Sequence, residues 1–127
     1  MDMCLFDTNI LIDHLKGRQD ATDILTSCIK TNKTLSCSVI TVVELLCGVK
    51  PDEEGQLEYF LSGFKKIDLT GEIAEIAGRY LNKYRKSHGI NMADAIIAAT
   101  AKLTGSKLYT LNMKHYPMND IEVIKPY

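Results

Sequence analysis

Two periods of apolar residues alternate along the chain. MCLF at positions 3–6 is a short β-prone run, the polar DTN interrupts it, and ILIDHLKG continues with apolar residues three and four apart, which predicts strand, turn and helix. Residues 20–31 place Ile24, Leu25, Cys28 and Ile29 at helical intervals and lead into a strand at 35–39, with the helix TVVELLCGV after it. Pro51 opens a further helical stretch running through Glu58 and Tyr59 to Phe64, and KKIDL at 65–69 reads as a third strand. From 71 to 88 the positions Ile73, Ile76, Ala77, Tyr80, Leu81 and Tyr84 mark the apolar stripe of a long amphipathic helix. The alanine-rich MADAIIAATAKL follows and ends at Gly105, KLYTL forms a fourth strand, and IEVI near the C-terminus forms a fifth. Short strands alternating with helices predict an α/β fold of three layers, α/β/α, around a mostly parallel five-stranded sheet.

Composition narrows the class. A chain of 127 residues, 46% hydrophobic, suits a single domain spanning 1–127, with no linker, repeat or low-complexity tract to divide it. The net charge of −1 supplies no overall basic field, so any contact with nucleic acid has to be local. Four cysteines, Cys4, Cys28, Cys37 and Cys47, lie in apolar segments without C-x-x-C spacing, which predicts reduced, buried thiols and a cytoplasmic setting. No apolar run approaches the roughly 20 residues of a membrane span, and no leader pattern precedes MDMCLFDTN.

Three acids stand alone in apolar or small-residue stretches: Asp7 in MCLFDTNILI, Glu44 in SVITVVELLCG and Asp94 in GINMADAIIAATA. An ionised carboxylate buried without a partner costs several kcal/mol or more, by rough estimate, and no Lys or Arg lies within these stretches to offset it. Each acid also has a local explanation. Thr41 with Glu44 fits a capping box, Asn91 with Asp94 fits a looser version of one, and Asp7 is placed to cap the helix that starts near Asn9. Yet in open α/β sheets sites form at the carboxyl ends of strands. Asp7 is predicted at the end of strand one, Glu44 in the first turn of the helix after strand two, and Asp94 at the start of the helix leading to strand four. Three carboxylates meeting there suit Mg2+ or Mn2+, which take oxygen ligands and leave room for a phosphate. Such an ion lowers the pKa of a water, a carboxylate orients or deprotonates that water, and the ion offsets charge as a phosphodiester breaks.

In order and spacing, FDTNILID, TVVELLCGV, INMADAIIAATA and LYTLN resemble the motifs of the PIN-domain nucleases, and among them the VapC-type toxins of prokaryotic toxin-antitoxin pairs. The likeness spans nearly the whole chain. It implies a Mg2+- or Mn2+-dependent endoribonuclease, often a homodimer, held silent by a cognate antitoxin protein. Carried over by residue, Asp7, Glu44 and Asp94 match the family's catalytic and metal-binding acids. Thr8, Asn9, Thr110 and Asn112 match polar residues that line them. Many members carry a further acid after the last motif, where TLNMKHY here has His115; either His115 or the nearby Asp120 is a candidate to take its place, and a single ion, or a second one brought by the substrate, is expected. Two rivals remain. A haloacid-dehalogenase-like phosphohydrolase also sets an aspartate after strand one but needs a second two residues on, where this chain has Asn9. A PIN-fold module that keeps the antitoxin contact but has lost catalysis is the other.

Positive charge gathers in one place. Arg79, Lys83 and Lys86 share a stripe of the long helix, with Arg85 and His88 beside them, as either a solvated face or a surface that guides phosphate. Lys114 and His115 follow the last motif and are candidate RNA contacts. Tyr59, Tyr80 and Tyr84 follow the apolar stripes, which places them in the core or a subunit interface. ILIDHL and ELLCGV carry more apolar residues than one face needs, through ordinary packing or as a groove for an antitoxin helix or a second subunit.

Overall fold

The computed structural model describes residues 2–127. Its strands are β1 (Met3–Phe6), β2 (Thr34–Ser38), β3 (Lys65–Ile67), β4 (Lys107–Tyr109) and β5 (Glu122–Ile124), in the spatial order β3-β2-β1-β4-β5. Every pairing is parallel. The helices are α1 (Thr8–Leu15), α2 (Gln19–Lys30), α3 (Val39–Gly48), α4 (Glu54–Leu61), α5 (Gly71–His88) and α6 (Met92–Thr104), with short 3-10 turns at Pro51–Glu53 and Met113–His115.

Side chains alternate across the central strand, as a pleat requires. Cys4 and Phe6 enter one core with residues of α1, α2 and α4, whereas Leu5 enters the other with residues of α5 and α6. That division gives the three layers. Phe6 is fully buried, stacked on Tyr109 at 5.1 Å and met edge-on by Phe64 at 6.3 Å. Burying a side chain of this kind contributes about 1.5–3 kcal/mol. On the other face, Ala95, Ala98, Ala99 and Ala101 are buried, and their small size lets α6 lie close beside α5 and the sheet.

Several boundaries differ from the sequence reading. Val39 and Ile40, β-branched and read as strand and turn, begin α3, because the Ser38 side chain accepts from the Ile40 N–H and caps the helix there. Thr41 is therefore inside α3 and forms no capping box with Glu44, which lies in the second turn rather than the first. Phe64 falls outside the fourth helix, which ends at Leu61. Cys4, Cys28 and Cys37 are buried thiols as expected, but Cys47 is exposed on the outer side of α3. Tyr80 is buried and Tyr84 half-buried, whereas Tyr59 is 84% exposed and belongs to no core.

Strand order reverses at β1: β2 and β3 lie to one side, β4 and β5 to the other. The register pairs Phe6 with Tyr109 and Leu5 with Ser36. Asp7 and Thr110, each the first residue beyond its strand, emerge side by side at the carboxyl end, where ligands bind in open α/β sheets.

Candidate active site

Asp7 is the N-cap of α1 and is 7% exposed. Its Oδ1 accepts from the Thr8 N–H at 2.7 Å, and its Oδ2 accepts from the Thr110 hydroxyl at 2.7 Å and the Tyr116 hydroxyl at 3.1 Å. Burial pushes its pKa above the ordinary aspartate value; the three hydrogen bonds oppose that shift, and the nearby charge of Asp94 adds to it.

Asp94, 9% exposed, is the third residue of α6 and completes a capping box: its Oδ2 accepts from the Asn91 N–H at 3.0 Å while Asn91 Oδ1 accepts from the Asp94 N–H at 2.8 Å. Capping and ligation use different atoms here. Asp94 Oδ1 accepts no hydrogen bond among the described residues, so the cap leaves one oxygen open.

Glu44 departs from expectation by being exposed rather than buried. It reaches in from the solvent side of α3, where its Oε1 accepts from the Thr8 hydroxyl at 2.6 Å, and that hydroxyl also lies 3.0 Å from Thr41 Oγ1. One side-chain hydrogen bond leaves Glu44 the freest of the three acids.

Tyr116, which the sequence reading did not single out, ties the group together. Burial raises its phenol pKa, and the charges of Asp7, Asp94 and Glu44 raise it further, so all three acids lie close enough to act on one hydroxyl. The phenol stays protonated and is a permanent donor to Asp7. Its only signal in the sequence was its place one residue after His115.

The remaining polar residues divide. Thr110 is fully buried and holds Asp7, and its oxygen also accepts from the Asn112 N–H at 3.0 Å. His115 Nδ1 lies 3.2 Å from Asp94 Oδ2 and 3.0 Å from Asn112 Nδ2. It cannot accept from the amide and donate to the carboxylate at once, so His115 serves one or the other according to where its proton sits. Asn9 touches none of the acids by a hydrogen bond, and its Oδ1 is buried without a partner. Asp120 is not a fourth acid: it accepts from the Tyr80 hydroxyl at 2.9 Å and pairs with Lys102 at 3.6 Å, toward the opposite end of α6 from Asp94. Lys114 is exposed beside His115.

No three His, Cys, Asp or Glu side chains among the described residues are gathered tightly enough to cage an ion as they stand. The donors nonetheless fit a hard divalent cation. They are all carboxylate oxygens, Asp7 and Glu44 have no Lys or Arg partner among the described residues, Asp94 has only His115, and Asp94 Oδ1 and Glu44 Oε2 are free. Asp7 and Asp94 repel one another, and a cation between them would relieve that.

Beside Glu44 runs a groove of about 350 Å³, lined by Ile12, Leu15, Leu45, Val49 and Leu57 together with the polar Lys16, Glu53 and Gln56. Ile12 and Leu15 are 37% and 47% exposed.

A sequence profile described as PIN domain matches residues 4–116. Ribonuclease VapC19 of Mycobacterium tuberculosis is 40% identical over 117 residues, which cover 91% of this chain and 94% of that protein. Ribonuclease VapC10 of the same organism is 38% identical over 125 residues, 98% of this chain and 92% of its own length. Among solved structures, a toxin-antitoxin complex from Klebsiella pneumoniae is similar with a TM-score of 0.81 and 32% identity, covering 98% of each chain. VapBC2 from Rickettsia felis, bound to a DNA fragment from its promoter, gives a TM-score of 0.80 at 26% identity and covers 96% of this chain and 97% of its own.

Proposed function

The chain belongs to the PIN-domain family, and from that premise we propose that Asp7, Glu44 and Asp94 are the catalytic and metal-binding acids of an endoribonuclease, the toxin of a toxin-antitoxin pair. It is a metal-dependent enzyme that hydrolyses RNA phosphodiester bonds, and Mg2+ or Mn2+ is the ion its oxygen donors suit. The observation that carries this reading is that Asp7, Glu44 and Asp94 all lie near Tyr116 at the point where strand order reverses, with no Lys or Arg paired to them among the described residues.

Asp7, Glu44 and Asp94 would hold a divalent ion, which when bound would offset the negative charge that builds on the phosphoryl oxygens and lower the pKa of the attacking water. The protein supplies orientation. Asp7 is fixed by three donors and cannot rotate away. Asp94 is locked by its capping box, which leaves Oδ1 without a hydrogen bond among the described residues. Glu44, exposed and singly held, is placed to take the proton of the attacking water as the P–O bond forms; the leaving oxygen is protonated from solvent. Lys114 and His115, at the mouth, contact the RNA.

The groove beside Glu44 supports an antitoxin segment as partner, because an amphipathic helix laid against Ile12 and Leu15 would lie next to Glu44. Exposed Val43 and Leu46 on α3 support a homodimer. Among the described residues no helix is long and apolar enough to cross a membrane, and we place the protein in the cytoplasm.

The test is RNA incubated with the protein in Mg2+, Mn2+ or EDTA, beside Asp94→Asn. Cleavage that needs metal and disappears in the variant is expected. RNA left equally intact by both proteins under every condition would favour the catalytically inactive binding module, and cleavage persisting in EDTA would sink the metal mechanism.

A further inference from the structure

The positive stripe of α5 lies on the element that delivers the chain to Asp94. Between Glu75 and Asp94 the sequence holds four cations, Arg79, Lys83, Arg85 and Lys86, and no acid; since the whole chain carries −1, the rest of it carries −5. All four are exposed. Arg79 has a long ion pair with Glu75 at 4.0 Å, and Lys83 rests 5.2 Å over the Tyr84 ring, but Arg85 and Lys86 have no ion-pair partner among the described residues.

The helix dipole accounts for part of this. Basic side chains in a last turn offset the negative end of a helix, by about 0.3–1 kcal/mol each, and the effect fades within that turn. It does not reach Arg79 and Lys83, and the stripe from Arg79 to Lys86 runs about 10 Å along the axis at a rise of roughly 1.5 Å per residue. Placement completes the case. Gly89 ends α5 in the left-handed conformation at φ 63°, and Asn91, whose N–H binds Asp94, caps α6 two residues later. His88 to Asn91 spans at most about 11 Å even fully extended. The stripe therefore ends within a few nucleotides of Asp94. A site carrying three carboxylates repels the phosphates it must cut, and an adjoining run of free cations offsets that repulsion.

We propose that the exposed face of α5, with Arg85 and Lys86 at the end nearest Asn91, is the track along which the backbone of single-stranded RNA approaches the acids. The occupant follows from the nuclease reading, on which this rests. Positively charged grooves of this kind follow a single strand by its phosphates, without reading its bases.

The experiment measures binding of a labelled single-stranded RNA to Asp94→Asn protein across a salt series, so that binding is read without cleavage. Adding Arg85→Gln and Lys86→Gln to that protein should weaken affinity about tenfold and flatten the slope of log K against log salt by about 1.4, since each lost single-strand phosphate contact is worth about 0.7. In wild-type background the same pair should raise KM and leave kcat unchanged. Lys30→Gln with Lys33→Gln, an equal charge loss at the amino ends of the strands, is the control. Unchanged affinity and slope in the α5 variant, or an equal fall in the control, would overturn the proposal. A flattened slope in a protein whose wild type cuts no RNA would uphold the track while refuting the nuclease reading.

Discussion

Replacing Thr110 with valine removes one hydroxyl from a fully buried side chain and leaves its shape nearly intact. Two interactions go with it: the hydrogen bond to Asp7 Oδ2 at 2.7 Å and the one accepted from the Asn112 N–H at 3.0 Å. A hydrogen bond to a charged group contributes about 1.5–3 kcal/mol and a neutral one about 1, so Thr110→Val should destabilise the metal-free protein by about 2.5–4 kcal/mol. In urea that corresponds to a midpoint lower by roughly 1–2 M, with the slope unchanged. Thr110→Ser keeps the hydroxyl and loses a methyl, at about 1 kcal/mol. A double-mutant cycle with Asp7→Ala, which removes both carboxylate oxygens, isolates the pair and should return a coupling of about 1.5–3 kcal/mol. Thr110 is also the strongest influence lowering the pKa of Asp7. Its loss lets burial push that pKa further up, so the acid limb of the activity profile should move to higher pH. If Thr110→Val unfolds within about 0.5 kcal/mol of wild type, or Thr110→Ser costs as much as Thr110→Val, Thr110 does not hold Asp7 as described.

Because the pKa of Asp7 is higher folded than unfolded, the native state binds the proton more readily. The contribution of Asp7 to stability therefore falls as pH rises through the interval between the two values and stays unfavourable above it. In EDTA, the urea midpoint of Asp7→Asn should gain on wild type as pH rises from about 4 to about 8; a constant or shrinking difference contradicts the shift. Tyr116→Phe, which deletes one donor to the Asp7 carboxylate, should lower stability by about 1.5–3 kcal/mol and shift the acid limb of activity upward in pH, read from rate-pH profiles. Leu15→Asp places a charge in the groove at a residue 47% exposed. It should leave the melting temperature and RNA cleavage near wild type while abolishing inhibition by the antitoxin; inhibition that survives would move the partner elsewhere.

The order of strands and helices was legible because each apolar run has one clear period, and Gly89 and Gly105 end α5 and α6 where the sequence suggested. The start of α3 was not, since β-branched Val39 and Ile40 continue the look of a strand and only the cap on Ser38 decides the boundary. That error carried the Thr41–Glu44 capping box with it. Glu44 misled for a second reason. Its neighbours Val43 and Leu46 are apolar yet 60% and 40% exposed, so apolar company in the sequence did not mean burial. The energetic case for a compensating cation accordingly rests on Asp7 and Asp94, which are buried, with Glu44 joining from the surface. Tyr116 lay beyond sequence reasoning because its contact with Asp7 bridges 109 positions and no periodicity marks it. Asp120 was open as a fourth acid until Tyr80 and Lys102 proved to hold it elsewhere.

Crystals soaked in Mn2+ and measured for anomalous scattering test the central claim most directly. The account predicts a manganese peak in contact with carboxylate oxygens of at least two of Asp7, Glu44 and Asp94, absent from Asp94→Asn crystals treated identically. A protein that cuts RNA in Mn2+ but binds the ion elsewhere, with these three carboxylates bare, would contradict it.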